Sequence, residues 1–379
     1  MAAIRIEQLE KAFGEVNALR GIDLEVEAGE FLVILGPSGC GKTTTLRCVA
    51  GLEEPSGGSI YLRDECVFSR AGGIDVPPRD RHVGMIFQNY ALYPHMTVFQ
   101  NVAFGLKVRH VDKTEIRERV TEALRIVDLV GFEERRPRHL SGGQQQRVAV
   151  ARTIAADPSV LLYDEPLSSL DPELRVSVRA NLKAVHNRLG ATSIYVTHDQ
   201  QEAMVLADRI AVMDKGVIAQ VDSAQQIYNY PATTFVAEFT GNPKTNLMKG
   251  EIHSSDERTF FIPEADPYCI VPIGDEFRSR SGSDVIFHVR PEDLELIPAP
   301  DEQMGMLRVL AVMPEGAFVY VHLRFGEGSG QLIARGRIAD FGAIRKGDLV
   351  GLRFRRGNLF DVYSGTLDRS FGFENRVTV

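Results

Sequence analysis

The sequence predicts an α/β domain built around a mainly parallel sheet, followed by an all-β domain. Two runs, FLVILG (31–36) and SVLLYDEP (159–166), are apolar without alternation, which is typical of strands buried on both faces of a parallel sheet. Stretches with helical spacing lie between them. Beyond about residue 240, short alternating runs separated by glycine and proline take over. We therefore predict an α/β domain over 1–240 and a β-rich domain over 241–379.

The first domain is expected to begin with strands and one helix. IRIEQL (4–9) alternates in hydrophobicity and predicts a half-buried strand, whereas FLVILG predicts a buried one. A helix should start after Gly41, with KTTTLRCVAGL. Gly57 and Gly58 mark a turn before a strand at SIYL, and HVGMIFQ (82–88) predicts the next strand.

The middle of the first domain is expected to be helical. Leucine, isoleucine and valine recur at helical spacing between about 98 and 138, within a predicted helical subdomain over about 89–158. The segment 142–158 predicts a helix that ends at Asp157-Pro158, because a residue before proline disfavours helical backbone.

The last part of the first domain alternates strands and helices. SVLLYDEP predicts a buried strand with carboxylates at its C-terminal end. PELRVSVRANLKAVHNRLG has proline near its start and glycine at its end, which is typical of a helix. ATSIYVTHD (191–199) predicts a strand that runs into a loop, and DRIAVMDKGVIAQV (208–221) predicts a hairpin around Lys215-Gly216.

The second domain is expected to follow a turn-rich connector, GNPKTN (241–246). Its short runs alternate in hydrophobicity, which is an all-β signature of the small-barrel type. The runs are TFFIP, YCIVPI, DVIFHVR, LRVLAVM, FVYVHLRF, QLIARGRI and LVGLRFR.

Composition excludes several classes of protein. The chain has 43 basic and 51 acidic residues, a net charge of −8, and shows no basic stripe, so we expect no nucleic-acid partner. None of its cysteines forms a C-x-x-C pair, so a zinc site is not expected. No run reaches the roughly 18 apolar residues of a spanning helix, so we do not expect the chain to cross a membrane by itself.

The segment GPSGCGKTTT (36–45) has the pattern of a phosphate-binding loop: glycine, four free positions, glycine, lysine and threonine. Glycines let successive backbone N–H groups converge on phosphate oxygens, and the following helix adds its positive end. Lys42 is expected to reach the β- and γ-phosphates of a nucleotide, and Thr43 to hold Mg²⁺. The loop residues expected to bind the nucleotide are Gly36, Pro37, Ser38, Gly39, Cys40, Gly41, Lys42, Thr43 and Thr44.

Two carboxylates follow the buried strand at VLLYDEP. Asp164 suits the shell of Mg²⁺, and Glu165 is placed to accept a proton from an attacking water or to orient that water. Without a phosphate loop in the same chain, two solvated acids would be an equal alternative.

LSGGQ (140–144) predicts a second anion site at the start of a helix. Ser141 supplies a hydroxyl, and the glycines expose N–H groups beside the positive end of the helix dipole. Taken alone, an N-cap serine with a flexible turn is the simpler interpretation. A second phosphate-binding helix end is useful if it faces the nucleotide of another copy of the chain.

The motifs GPSGCGKTT, LSGGQQQR, LLYDEP, SSLD and VTHD occur in this order. Together they make residues 3–240 resemble the nucleotide-binding subunit of an ATP-binding-cassette transporter. In that family the ATPase site is composite, because the phosphate loop of one protomer meets the LSGGQ segment of the other in a head-to-tail dimer. The resemblance therefore implies an ATPase that uses ATP and Mg²⁺.

The resemblance also implies roles for individual residues. Gln88, in FQNYALYP, would sense Mg²⁺ and the attacking water and would link to the membrane subunits. Glu165 would be the catalytic base, and His198 would contact the γ-phosphate. The Mg²⁺ ligands would be Thr43, Gln88 and Asp164. The residues completing the opposite site would be Ser141, Gly142, Gly143 and Gln144.

Two further residues have a simpler alternative role. Asp171, in SSLD, would help the two sites communicate, and it is also a natural N-cap before Pro172. Phe13 stands where the family commonly has tyrosine or tryptophan stacked on adenine. Phenylalanine keeps an aromatic face, so stacking is expected, although a core role is the alternative.

The partners are also implied by resemblance. The segments 87–107 and 235–246 resemble those of bacterial sugar importers of the maltose type. The tail with VRPEDL resembles their C-terminal regulatory domain, which implies a fold of the oligonucleotide/oligosaccharide-binding type. The implied partners are a second copy, two transmembrane permease subunits and, indirectly, an extracytoplasmic solute-binding protein. The implied location is the cytoplasmic face of the bacterial inner membrane.

The cargo and the role of the tail are left open. The expected cargo is a sugar, polyol or sugar derivative, and the alternative is sulfate, a polyamine or ferric iron. The tail would either sense a regulator or only stabilise the dimer. Two other classes of protein fit less well. An ATPase acting on translation or DNA usually carries tandem cassettes or long coiled coils, whereas this sequence has one phosphate loop and no long heptad run. A binding module without turnover would not need Glu165 and His198 together.

Overall fold

The chain divides into two units, Met1–Gln225 and Gln226–Val379, in the computed structural model. The structure describes residues 2–168, 170–255, 258–265, 269–298, 307–324 and 330–372. Residues 226–240 group with the second unit, whereas the sequence placed the boundary at 240. The assignment of functions to 1–240 and 241–379, and of a helical subdomain to about 89–158, stays a prediction.

The strands of the first unit form a five-stranded and a six-stranded sheet. The strands are β1 (Ala2–Phe13), β2 (Val16–Glu27), β3 (Phe31–Leu35), β4 (Gly57–Leu62), β5 (Glu65–Ser69), β6 (Ile74–Asp75), β7 (Val83–Ile86), β8 (Val160–Asp164), β9 (Thr192–Thr197), β10 (Arg209–Asp214) and β11 (Val217–Asp222). The five-stranded sheet has the order β2-β1-β4-β5-β6 and is antiparallel.

The six-stranded sheet has the order β11-β10-β3-β9-β8-β7. Its strands β10, β3, β9, β8 and β7 run parallel, and β11 adds an antiparallel edge. Every residue of β3, β8 and β9 is buried, which explains the continuous apolar runs of β3 and β8. Strand β9 also buries the polar residues Thr192, Ser193 and Thr197. The turn between β10 and β11 has positive φ at Lys215 and Gly216, as a two-residue hairpin requires.

Helices follow the strands of the first unit. They are α1 (Lys42–Ala50), α2 (Val98–Val108), α3 (Lys113–Ile126), α4 (Gly142–Ile154), α5 (Pro172–Leu189) and α6 (Gln200–Leu206). Two short helices, α7 (Ala224–Asn229) and α8 (Thr234–Phe239), follow β11. No helix within the described ranges combines the length and the apolar character needed to span a bilayer.

Two predicted helical stretches are shorter in the structure. The helix predicted over 142–158 ends at Ile154, because Asp157 adopts a left-handed conformation with φ +54° before Pro158. The helical region expected up to residue 138 ends at Ile126. Asp128 and Gly131, with φ +55° and +86°, break the helical path there.

The second unit is rich in β-structure, as predicted. Its strands are β12 (Asn246–Ser254), β13 (Thr259–Pro263), β14 (Val271–Ile273), β15 (Asp284–Val289), β16 (Leu294–Pro298), β17 (Leu307–Glu315), β18 (Phe318–Arg324), β19 (Gln331–Arg337), β20 (Leu349–Phe354), β21 (Arg356–Asp361) and β22 (Leu367–Gly372), with a short helix α9 (Ile338–Phe341). They form sheets ordered β14-β13-β12-β15-β21-β22 and β16-β20-β17-β18-β19. Side chains from both sheets share one buried cluster, which fits a regulatory β-domain of the oligonucleotide/oligosaccharide-binding kind.

Arg290 connects the short helices with the β-structure of the second unit. Its guanidinium donates to the carbonyl oxygens of Tyr228 and Ala237 and to Thr240 Oγ1. Arg290 is only 3% exposed, so these bonds satisfy a buried charged group. They explain why residues 226–240 belong with the second unit.

Candidate active site

Four neighbouring parallel strands bring the predicted site residues to one edge of the six-stranded sheet. The phosphate loop follows β3, His198 follows β9, Glu165 follows β8, and Gln88 follows β7. The strands end in register, with Cα partners Leu35 and Thr197, Val196 and Asp164, and Tyr163 and Ile86. Ligands of open α/β sheets bind outside the carboxyl ends of the strands, which is this edge.

The phosphate loop wraps around the ammonium group of Lys42. This side chain is 4% exposed, and its Nζ donates to the carbonyl oxygens of Gly36 and Pro37, both at 2.9 Å. Gly41 precedes α1 with φ +108°, a conformation that favours glycine, and a Cβ there would lie 2.7 Å from the carbonyl oxygen of Ala18. The loop therefore holds a cation at the start of a helix, which suits phosphate.

The remaining loop residues differ in exposure. Cys40 is buried, and burial raises the pKa of its thiol against the opposing effect of Lys42, so it contributes as a neutral side chain. Ser38 and Gly39 are exposed, Gly36 is buried, and the half-buried members are Pro37, Gly41, Thr43 and Thr44.

Thr43 and Asp164 are in direct contact. The Thr43 hydroxyl donates to Asp164 Oδ1 at 2.8 Å, although the residues are 121 positions apart. Asp164 is 8% exposed and ends β8. A hydroxyl and a carboxylate are oxygen donors of the kind Mg²⁺ prefers, so this pair fits the predicted metal position.

Glu165 and His198 also meet. His198 Nδ1 lies 3.0 Å from Glu165 Oε2, and the carboxylate is the less exposed of the two side chains. The backbone of Glu165 has φ +45°, and its N–H donates to the carbonyl oxygen of Val196 at 3.1 Å. A non-glycine residue in this conformation stores strain, which is common at functional sites.

A buried carboxyl supports the His198 loop, and the sequence analysis did not identify it. Glu202 Oε2 accepts hydrogen bonds from Tyr195 OH and Thr197 Oγ1 at 2.8 and 2.7 Å. Burial raises the pKa of this carboxyl, although the two hydrogen bonds act against that rise. Asp199 caps α6 by accepting from the N–H of Gln201. The sequence signal that could have identified Glu202 is its spacing from Asp199, which is that of a helix-capping pattern.

The LSGGQ segment begins α4 as a capped helix. Ser141 Oγ accepts from the N–H of Gln144, and Gln144 Oε1 accepts from the N–H of Ser141, which is a capping box. Ser141 is exposed, Gly142 is half-buried, and Gly143 is buried against Leu174. The capping box uses the N–H of Gln144, so the N–H groups of Gly142 and Gly143, which also have no partner within the helix, are left for another acceptor.

Asp171 is the N-cap of α5, as its position before Pro172 predicted. Its carboxylate accepts from the N–H of Leu174 at 2.9 Å.

Phe13 ends β1 and is 48% exposed, so it does not belong to a core. Its exposed ring is available for stacking.

Gln88 is exposed beyond the end of β7, in a segment that α4 holds in place. The Arg152 guanidinium donates to the carbonyl oxygens of Tyr90 and Ala91 at 2.7 and 2.6 Å. Both acceptor residues have positive φ, at +55° and +46°. The sequence analysis did not single out Arg152, because nothing local distinguishes it from other helical arginines.

Known proteins share these features. Residues 19–168 match the ABC transporter family. The trehalose/maltose import ATP-binding protein MalK of Thermococcus litoralis is 48% identical over 336 residues, which cover 86% of this chain and 89% of that protein. The chain belongs to the ABC transporter family. It is an ATPase of that family, and the fold class predicted from the sequence is confirmed.

Two other similarities extend this assignment. The sn-glycerol-3-phosphate import ATP-binding protein UgpC of Pectobacterium atrosepticum is 44% identical over 368 residues, 96% of this chain and 99% of that protein. A dimeric structure of the ATP-binding cassette MJ0796, in a post-hydrolysis state with ADP and Pi, has a TM-score of 0.50 and 30% identity. It covers 58% of this chain and 98% of that one. Both units of this ABC chain thus fall within the length of the UgpC match.

Proposed function

We propose that this chain is the ATP-hydrolysing subunit that powers import of a carbohydrate or sugar derivative through a membrane ABC transporter. The observation that carries the catalytic part is the convergence of two contacts at one sheet edge: Thr43 with Asp164, and Glu165 with His198. The similarity to import ATP-binding proteins over most of the chain supports the transport part.

Each contact has a role in phosphoryl transfer to water. Lys42 and the loop N–H groups hold the phosphates, while Thr43 and Asp164 would hold Mg²⁺, which neutralises phosphate charge when bound. Glu165 orients the attacking water and takes its proton, and His198, whose Nδ1 lies 3.0 Å from Glu165 Oε2, would contact the γ-phosphate. Gln88 lies at the same edge and would complete the shell of the metal and water.

The site is proposed to be shared between two copies of the chain. Ser141, Gly142, Gly143 and Gln144 present a helix start that would face the γ-phosphate of the other copy, and Asp171 would lie beside it. Closure of the dimer around ATP would move the Gln88 segment, against which two permease subunits would dock. The chain would then work at the cytoplasmic face of the membrane, and an extracytoplasmic solute-binding protein would deliver the cargo.

The cargo is proposed by similarity. The relatives described above import trehalose/maltose and sn-glycerol-3-phosphate, according to their names. Neither name favours sulfate, a polyamine or ferric iron. A sugar, polyol or phosphorylated polyol is therefore the class to test.

Glu165→Gln tests the catalytic assignment. The amide keeps the shape of the side chain but cannot accept the proton of water, so we expect phosphate release to fall at least about a hundredfold while Mg-ATP still binds. Phosphate release and equilibrium binding should both be measured. Turnover within a few-fold of the original chain would remove Glu165 from its role, and loss of binding would point to misfolding instead.

The cargo assignment needs the assembled transporter. The permease subunits that co-purify with this chain should be placed in liposomes with their binding protein, and ATPase activity recorded with maltose, trehalose, glycerol-3-phosphate, sulfate and spermidine. Stimulation by one of the first three is expected. Stimulation only by sulfate or spermidine would refute carbohydrate import and leave the ATPase assignment intact.

A further inference from the structure

Lys11 lies against the ring of Phe13, the exposed aromatic residue at the end of β1. Its Nζ is 4.7 Å from the ring centroid, which is within the range of a cation–π contact. The Lys11 side chain is 12% exposed, far less than Phe13 at 48%. The ammonium group therefore covers part of the ring while much of the ring stays accessible.

The same ammonium group connects β1 with the segment that follows the phosphate-loop helix. Lys11 Nζ lies 2.6 Å from Glu53 Oε1 and donates to the carbonyl oxygen of Glu54 at 2.7 Å. That segment is attached to α1, because the N–H of Glu53 donates to the carbonyl oxygen of Arg47. A single side chain thus links the aromatic ring to the helix that begins at Lys42.

We propose that Lys11 is a positioning residue for the nucleotide base: it fixes the Phe13 ring relative to the phosphate loop and leaves one ring face for the base. The inference rests on the proposed ATPase function and adds a residue to it. Because phenylalanine has no hydroxyl or indole N–H with which to anchor itself, this ring depends on a neighbour for its orientation.

Two physical effects of Lys11 should both strengthen binding of the base to the Phe13 ring. A ring already held in place loses less conformational entropy when a base stacks on it. A cation on one face also draws electron density away from the other face, which strengthens stacking with an electron-rich purine. Neither effect reaches the phosphates, so Lys11 should influence the base and not the triphosphate.

The test compares a ligand that has a base with one that lacks it. Binding of Mg-ATP and of inorganic tripolyphosphate to the full chain should be measured by calorimetry for Lys11→Met, Lys11→Arg and the original protein. We expect Lys11→Met to weaken ATP binding about fivefold and to leave tripolyphosphate binding within about twofold. Lys11→Arg keeps a cation and should retain most of the ATP affinity.

Arg5→Met is the matched control. Arg5 lies on the same strand and covers the ring of Tyr61 at 4.1 Å, so its replacement removes an equivalent contact elsewhere on the sheet. Both ligands should bind this variant normally. In a Phe13→Ala background, Lys11→Met should cause no further loss of ATP affinity, because the ring through which it acts is gone.

Two results would overturn the proposal. The first is unchanged ATP affinity in Lys11→Met, and the second is an equal loss for ATP and tripolyphosphate, which would indicate a general effect on the fold. Failure of the ATPase assignment would look different, since Lys42→Ala would then keep its affinity for tripolyphosphate.

Discussion

Gly36 allows the phosphate loop to pack closely against the neighbouring strand β10. A Cβ at Gly36 would lie 2.3 Å from the carbonyl oxygen of Met213 and 2.7 Å from Cys40 Sγ. Met213 belongs to β10, the parallel neighbour of β3, so its backbone cannot move without disturbing the sheet. The glycine is thus required by close packing as well as by access to phosphate.

Gly36→Ala is therefore expected to destabilise the first unit by about 2 kcal/mol, because the added methyl group must displace backbone. Calorimetric unfolding of the full chain measures this change. Gly105→Ala is the control, since Gly105 lies in α2 and a Cβ there would meet nothing within 4 Å. Equal unfolding temperatures for both variants would contradict the packing argument.

At the scale of elements, α4 is joined to the segment that contains Gln88. The helix begins at the LSGGQ motif, and Arg152 near its other end donates to the carbonyl oxygens of Tyr90 and Ala91. Burial lowers the pKa of the Arg152 guanidinium, but the group stays charged at neutral pH. Two charge-assisted bonds hold two residues of positive φ, a conformation that costs free energy by itself.

Arg152→Met should release that segment. We expect the backbone amides of residues 89–97 to exchange with deuterium about tenfold faster, because the bonds that hold Tyr90 and Ala91 are lost. Hydrogen–deuterium exchange with mass spectrometry gives the rates. Arg147→Met, in the same helix, removes bonds to Val127 and Asp128 instead and should leave residues 89–97 unchanged. Identical rates in the two variants would disprove the connection.

In the second unit, β15 and β21 pair through a buried histidine. His288 is the Cα partner of Asn358, whose Nδ2 donates to His288 Nδ1 at 3.0 Å. Burial, followed by the charge of Arg290, lowers the pKa of His288 from 6.5 to about 3. Between these two values the unfolded chain binds a proton and the folded chain does not, so stability is lost as pH falls below about 6.5.

His288→Gln should make the second unit less sensitive to acid. Between pH 7.5 and 5 the histidine contributes a loss of about 2 kcal/mol, which glutamine, still able to accept from Asn358, would not. Calorimetric scans of the full chain at the two pH values compare the variants. His253→Gln is the control, because His253 is an exposed histidine. Equal pH dependence of His288→Gln and the original chain would show that His288 titrates normally.

At the scale of the whole molecule, the expected functional unit is a pair of chains. Mg-ATP should convert Glu165→Gln from 42.0 kDa to about 84 kDa, twice the chain mass, because bound ATP stays between the copies. Adding Ser141→Arg should keep the protein monomeric, since the arginine blocks the helix start that would face the partner's ATP. Light scattering measures both masses.

The control for that experiment is Val130→Arg. Val130 is 63% exposed in the first unit and lies outside the motifs, so an arginine there should not prevent pairing. ATP binding by the Ser141→Arg variant must persist, because its own phosphate loop is intact. A dimer formed equally well with Ser141→Arg would contradict the shared site.

Much of the first unit was predictable because its elements have local signals. The buried strands β3 and β8 were predicted from continuous apolar runs. Helix α1 was predicted from the glycine before it, and α5 from a proline near its start and a glycine at its end. The antiparallel strands β2, β5 and β6 were missed. β5 and β6 are short and mixed in sequence, whereas β2 does alternate in hydrophobicity over its second half, a signal that the sequence analysis did not use. Helix ends were misplaced where an aspartate adopted positive φ.

The chemistry available to this chain follows from its sequence: a glycine-rich loop with Lys42, carboxylates after a buried strand, and a capped helix at Ser141. These depend on backbone preferences and burial periodicity, which neighbouring residues encode. The direct contact between distant groups, such as Thr43 and Asp164, which are 121 positions apart, depends on the three-dimensional fold. Such contacts follow from the order of strands in the sheet, and no local pattern specifies that order.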